Sequence, residues 1–200
     1  GGGNTQPPSD LANNPGNCVL HSGYNGATLP AGFPTTNFGN AVGSTLRDFT
    51  QCLSNSNDTE YHPYAYLGQV VLISLGAGWC PPCQDEAPDI QNLYEDYKDQ
   101  GFVVLMGLGE AFGQGYAADD SFLNQWSNNF GLTFPVLGDS SWSMAQYYKS
   151  SGDSGYIPLN LIVDRDGVVL YNQVGGIHVP TARNKIGQAL EKPAVLSYTY

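Results

Sequence analysis

QVVLISLGAGWCPPCQDEAPDIQNLYEDYKDQG, residues 69–101, is the stretch on which the fold turns. It opens inside an apolar, β-branched run from Tyr66 to Leu75, the length of a buried strand. The most apolar stretch, Val70 to Trp79, is far short of the roughly 20 residues a bilayer-spanning helix needs. From Cys83 to about Lys98 the apolar residues Ala87, Ile90, Leu93, Tyr94 and Tyr97 recur at helical spacing, and Gly101 follows as a stop. Between strand and helix stand Trp79-Cys80-Pro81-Pro82-Cys83. Two cysteines three positions apart at a helix start are close enough to form a disulfide. The first lies near the free N–H groups of the opening turn, which together with the helix dipole favour thiolate over thiol. The spacing predicts Cys80 as an exposed nucleophile with a pKa below that of a free cysteine. Cys83, one turn inside, would be the resolving thiol. Proline at both intervening positions suits a helix start, where a backbone donor is not missed.

Working outward, Phe102 to Leu108 reads as a second buried strand and Asp119 to Phe130 as a helix opened by acidic residues. Phe134 to Leu137 reads as a short strand and Ser140 to Tyr148 as a helix capped by serine. Leu159 to Val163 and Val168 to Val174 are strands joined by the turn Asp164-Arg165-Asp166-Gly167, and Thr181 to Leu190 is a last helix. Upstream, Val42 to Cys52 reads as a turn and a short entry strand. The early alternation implies a parallel βαβ unit and the late hairpin an antiparallel edge. The expected fold is an α/β three-layer sandwich with a mixed sheet. Residues 1–40 are rich in Gly, Pro and Asn without a period and read as an irregular N-terminal extension. The domain is expected over 41–200.

A 200-residue chain can bury a core without disulfides. Seven Lys and Arg against eighteen Asp and Glu give a net charge of −11, so no basic patch for nucleic acid can be assembled. Anionic membrane surfaces are disfavoured for the same reason. Four cysteines, few lysines and a start at Gly1-Gly2-Gly3 that reads as processed fit an exported protein. A lone C-x-x-C could be half of a zinc site. Only Cys18, Cys52, His21, His62 and His178 remain, and none forms a second ligand pair of zinc spacing, so no metal is expected. For Cys18 and Cys52 the simplest reading is a structural disulfide pinning the extension to the domain. In the chain-entropy model it would stabilise by roughly 3–4 kcal/mol. A second redox pair and free or intermolecular thiols are the alternatives.

Trp79-Cys80-Pro81-Pro82-Cys83 with Glu86 and Pro88 resembles the thioredoxin superfamily. More closely, the chain resembles the TlpA/ResA-like extracytoplasmic thiol–disulfide oxidoreductases. The likeness extends over about 41–200 through Val42 to Thr50, Phe134 to Asp139, Ile157-Pro158 and Asp164 to Gly167. It implies a cis Pro158 opposite Cys80, so that backbone groups of Ile157 could pair with a substrate strand. It implies a shielding, substrate-contacting Trp79, and Pro81 and Pro82 on the substrate-facing rim. Glu86 would be a partly buried acid/base of raised pKa for Cys83, or else a first-turn carboxylate on the helix dipole. Three departures stand out. Ser74 occupies the place of thioredoxin's buried Asp and cannot do the same proton work. Leu75-Gly76 replaces an aromatic pair, which removes a bulky wall. Asn160 stands where a Thr is common.

The resemblance implies a disulfide reductase that needs no cofactor. Its partners would be exported protein thiols or disulfides and a redox partner protein. A monomer is expected in the periplasm or cell envelope, and a lipid tether upstream of Gly1 is compatible with this. The alternatives are a peroxiredoxin-like peroxide reductase and a non-catalytic copper-binding module of the Sco type using His178.

Overall fold

In a computed structural model of the chain, the structure describes residues 30–34, 36–47, 53–54, 60–61, 63–139, 142 and 157–196. The first 29 residues, Cys18, Cys52 and all but Trp142 of the helix expected over 140–148 lie outside the described residues.

The strands are β1 (Leu53–Ser54), β2 (Glu60–Tyr61), β3 (Val70–Gly76), β4 (Phe102–Leu108), β5 (Val136–Asp139), β6 (Leu159–Val163) and β7 (Val169–Val174). The helices are α1 (Pro81–Tyr97), α2 (Asp120–Phe130) and α3 (Val179–Glu191). The strands form one mixed sheet in the order β2-β1-β5-β4-β3-β6-β7. β3, β4 and β5 run parallel, while β6, β7 and the short β1 and β2 pair antiparallel to their neighbours. This is the expected thioredoxin-like arrangement.

Because β3 is flanked by β4 and β6, all seven of its residues are buried, which explains its unbroken apolar run. Alternation sends Val71, Ile73 and Leu75 to one face and Val70, Leu72, Ser74 and Gly76 to the other. The second face carries α1, whose Cys83, Glu86, Ala87, Ile90 and Leu93 form the buried stripe. Ala182 and Ile186 of α3 join the same cluster. Asp119 caps α2 by accepting from the Phe122 N–H at 2.9 Å, and Gly131 ends it in the left-handed conformation.

Two boundaries differ from the sequence reading. The run from Tyr66 does not start as strand: Pro63–Tyr66 is a 3-10 turn, and the Gly68 N–H is taken by the Arg165 carbonyl at 2.8 Å. The described part of Val42 to Cys52 is a turn with only isolated bridges from Thr45 to Phe38 and Val168. The Thr45 and Leu46 N–H groups go to the carbonyls of Asn37 and Gly167, so they extend no ladder.

Candidate active site

Cys80 occupies the N-cap of α1 with extended backbone (φ −89°, ψ 109°), and Pro81 and Pro82 open the first turn. The Cys80 carbonyl accepts from the N–H groups of Cys83 and Gln84, each at 3.1 Å. The Gln84 side chain donates to the Gly78 carbonyl at 2.7 Å, tying the loop to the helix it feeds. Both cysteines are unbridged thiols.

Cys80 is not exposed, contrary to the sequence expectation: it is 3% accessible, as is Cys83. Its sulfur lies 3.8 Å from the Ile157 carbonyl, and Trp79 and Ile157 pack against the cluster containing both thiols. The Ile157–Pro158 peptide bond is cis. Helix-start geometry places a thiol at the tip but says nothing of what lies over the tip. Here a remote loop does.

Cys83 sits directly on β3. A Cβ added at Gly76 would lie 2.7 Å from its sulfur, so the space freed by the missing aromatic wall is filled by the resolving thiol itself. Burial, with Cys80 and Glu86 adding to it, pushes the Cys83 thiol up.

Glu86, one turn further along the same face, is 5% accessible. Its Oε1 accepts from the Ser74 hydroxyl at 3.1 Å. Its Oε2 accepts from Asn160 Nδ2 at 2.9 Å and the Ile177 N–H at 2.8 Å. Burial raises its pKa to about 7, although all three hydrogen bonds favour the carboxylate. Desolvation therefore outweighs three donors. Ser74 and Asn160, two of the departures named above, are direct register partners across β3 and β6, and they meet on this carboxylate. Asn160 Oδ1 is buried without a partner among the described residues, so its amide is spent on its donor side.

The sequence reading missed Ile177 and Glu110. Glu110, just after β4, accepts from the Trp79 indole N–H at 2.6 Å and from the Gly115 N–H at 2.7 Å. Its carbonyl takes the Gly78 N–H at 2.8 Å. Nothing in the spacing signals this contact, because β4 reaches Trp79 only through sheet pairing. His178 is exposed at the N-cap of α3, its Nδ1 2.7 Å from Thr181 Oγ1. Pro81, Pro82 and Pro88 lie on the exposed side of α1.

A dithiol at the mouth of a helix, on a mixed sheet and beside a cis-proline, is the arrangement of thioredoxin-fold redox proteins. The Redoxin family profile matches residues 41–190. Thiol-disulfide oxidoreductase ResA of Geobacillus thermodenitrificans is 31% identical over 145 residues, covering 72% of this chain and 75% of that protein. Thioredoxin-like protein YneN of Bacillus subtilis is 27% identical over 167 residues, covering 84% and 88%. Among solved structures, a thiol:disulfide interchange protein of Chlorobium tepidum shares the fold with a TM-score of 0.58 at 19% identity, covering 76% of this chain and 99% of its own. The chain belongs to the Redoxin family of the thioredoxin superfamily, as a TlpA/ResA-like thiol–disulfide oxidoreductase.

Proposed function

We propose that this enzyme reduces disulfides of exported proteins through Cys80 and Cys83, with Glu86 as the proton carrier of the resolving step. The Cys80 thiolate attacks a substrate disulfide and releases the first substrate thiol, leaving a mixed disulfide. Cys83 gives its proton to the Glu86 carboxylate, attacks the Cys80 sulfur and expels the second substrate thiol. Two electrons pass from the dithiol to the substrate. The protons of Cys80 and Cys83 end on the two substrate thiols, the second through Glu86.

The observation that carries this reading is Glu86 itself, a carboxyl poised near neutrality one turn beyond a buried thiol. A buried carboxylate with a pKa of about 7 is a stronger base toward a neighbouring thiol than an ordinary carboxylate. The reducing direction is favoured because burial disfavours the Cys83 thiolate, and a dithiol whose thiolate is not stabilised gives up electrons more readily. Trp79, Pro81, Pro82 and Ile157-Pro158 would form the surface met by the substrate chain. The partner that recharges the dithiol is a second redox protein, and the setting is extracytoplasmic. Insulin reduction separates the roles. Cys80→Ser should abolish turnover, and Cys83→Ser should stall as a mixed disulfide visible by mass. A protein that consumes peroxide but leaves insulin intact would overturn this assignment.

A further inference from the structure

The two oxygens of Glu86 are not equivalent. Oε2 already accepts two N–H donors, from Asn160 and Ile177, and neither donor can turn into an acceptor for a carboxyl proton in this arrangement. The Ile177 group is backbone. The Asn160 amide would have to turn over, which would remove its N–H from Oε2. A proton on Oε2 would therefore face two N–H groups. Oε1 has one partner among the described side chains, the Ser74 hydroxyl, which donates to a carboxylate and, by rotation about its C–O bond, accepts from a carboxylic acid. Oε2 points toward β6 and the loop after β7. Oε1 points toward β3, the strand on which the Cys83 sulfur rests at Gly76.

We propose that Ser74 is a positioning residue that fixes the transferable proton of Glu86 on Oε1, toward the strand that supports Cys83, and that it reverses its hydrogen bond each time the proton arrives or leaves. The inference rests on the proton-carrier reading of Glu86. Ser74 does not itself take up the proton. It makes one oxygen of a buried carboxyl hospitable in both protonation states, which the serine in place of thioredoxin's aspartate is chemically able to do. The titratable groups that bear on Glu86 are Cys83 and Asp89 on α1 and Tyr171 on β7. β3 and β6 present only the neutral Ser74 and Asn160.

The test is the pH profile of Cys83-dependent release from a preformed mixed disulfide on Cys80, measured in Ser74→Ala, Ser74→Thr, Asn160→Ala and Glu86→Gln. Ser74→Ala removes the only described donor on Oε1, so the carboxylate becomes harder to form and the acid limb should move up by about one pH unit. Release at pH 7 should fall roughly fivefold and recover at alkaline pH. Ser74→Thr keeps the hydroxyl and should restore the wild-type limb. Infrared spectra of the protonated carboxyl give an independent readout. Asn160→Ala should raise the Glu86 C=O stretch, because that carbonyl is Oε2, whereas Ser74→Ala should leave it nearly in place. If the Ser74→Ala profile overlays wild type while Glu86→Gln loses the limb, this inference is wrong and the proton-carrier reading stands. If Glu86→Gln also leaves the profile unchanged, the proton-carrier reading fails first. A C=O stretch that shifts in Ser74→Ala and not in Asn160→Ala would put the proton on Oε2 and overturn the inference.

Discussion

Two glutamates flank the Cys80–Cys83 motif, and the chain treats them in opposite ways. Glu86 sits beneath the motif on the sheet side, almost inaccessible, with neutral donors on both oxygens and no cation among its partners in the described residues. Glu110 lies at the rim, half-buried, with one oxygen on the Trp79 indole and the other on the Gly115 backbone. Both accept strong hydrogen bonds, so hydrogen bonding does not distinguish them. Water does. Loss of solvent raises the Glu86 pKa to about 7. Glu110 keeps solvent and serves as a pin that fixes the indole and, through its carbonyl, the Gly78 backbone. Beyond this pin the exposed Phe112 and Tyr116 flank the loop, with Phe112 edge-on to Phe122 at 4.8 Å.

The contrast can be broken experimentally, and the largest effect should come from Glu86→Gln. The folded carboxyl has its pKa raised above the unfolded value of 4.5. The native state therefore holds its proton longer, and stability is lost as pH rises from about 4.5 to about 7. A glutamine can place its carbonyl on Asn160 and Ile177 and its amide on Ser74 without taking up a charge. Chemical denaturation should find Glu86→Gln more stable than wild type by up to about 3 kcal/mol at pH 8 and equal to it at pH 4. Equal stabilities at both pH values would mean that the pocket is wet.

Next in size is Gly78→Ala. A Cβ there would stand 2.2 Å from the Phe122 ring and 2.7 Å from the Ala111 carbonyl, so the motif loop and α2 must separate. A cost of about 2–3 kcal/mol is expected in thermal or urea unfolding, together with slower thiol exchange. Gly76→Ala sharpens the comparison on the Glu86 side. Its Cβ would press on the Cys83 sulfur, a side-chain atom that can shift. Its stability cost should be smaller, about 1–2 kcal/mol, with a larger loss in the resolving step than in the first attack. The smallest effect belongs to Glu110→Ala. It should cost about 1 kcal/mol, change Trp79 fluorescence and lower turnover severalfold, with the pH profile unmoved. A shifted profile in that variant would mean that the two glutamates are electrically linked.

Much of this was readable in the sequence. The central strand, the helix after the motif, β4, α2 and the β6–β7 hairpin follow from apolar period and turn chemistry, because those elements are buried as local units. The motif named both thiols, and helical spacing put Glu86 on the face of Cys83. What could not be read was set by contacts across the sheet. Ser74 and Asn160 are polar residues inside the buried runs VVLISLG and LNLIV, a visible signal that something polar faces them. Their common target depends on the antiparallel register that pairs them. The burial of Cys80 under Ile157 and the Trp79–Glu110 bond likewise join segments 77 and 31 positions apart.

The partners of Glu86 arrive at very different times along the chain. Ser74 is 12 positions away, Asn160 74 and Ile177 91. Until β6 and the loop after β7 have docked, the side chain at 86 is an ordinary acidic group on an amphipathic helix. Its raised proton affinity comes from burial, which is complete only once the C-terminal hairpin seats, so titration of this carboxyl in the native state reports that the sheet has been completed.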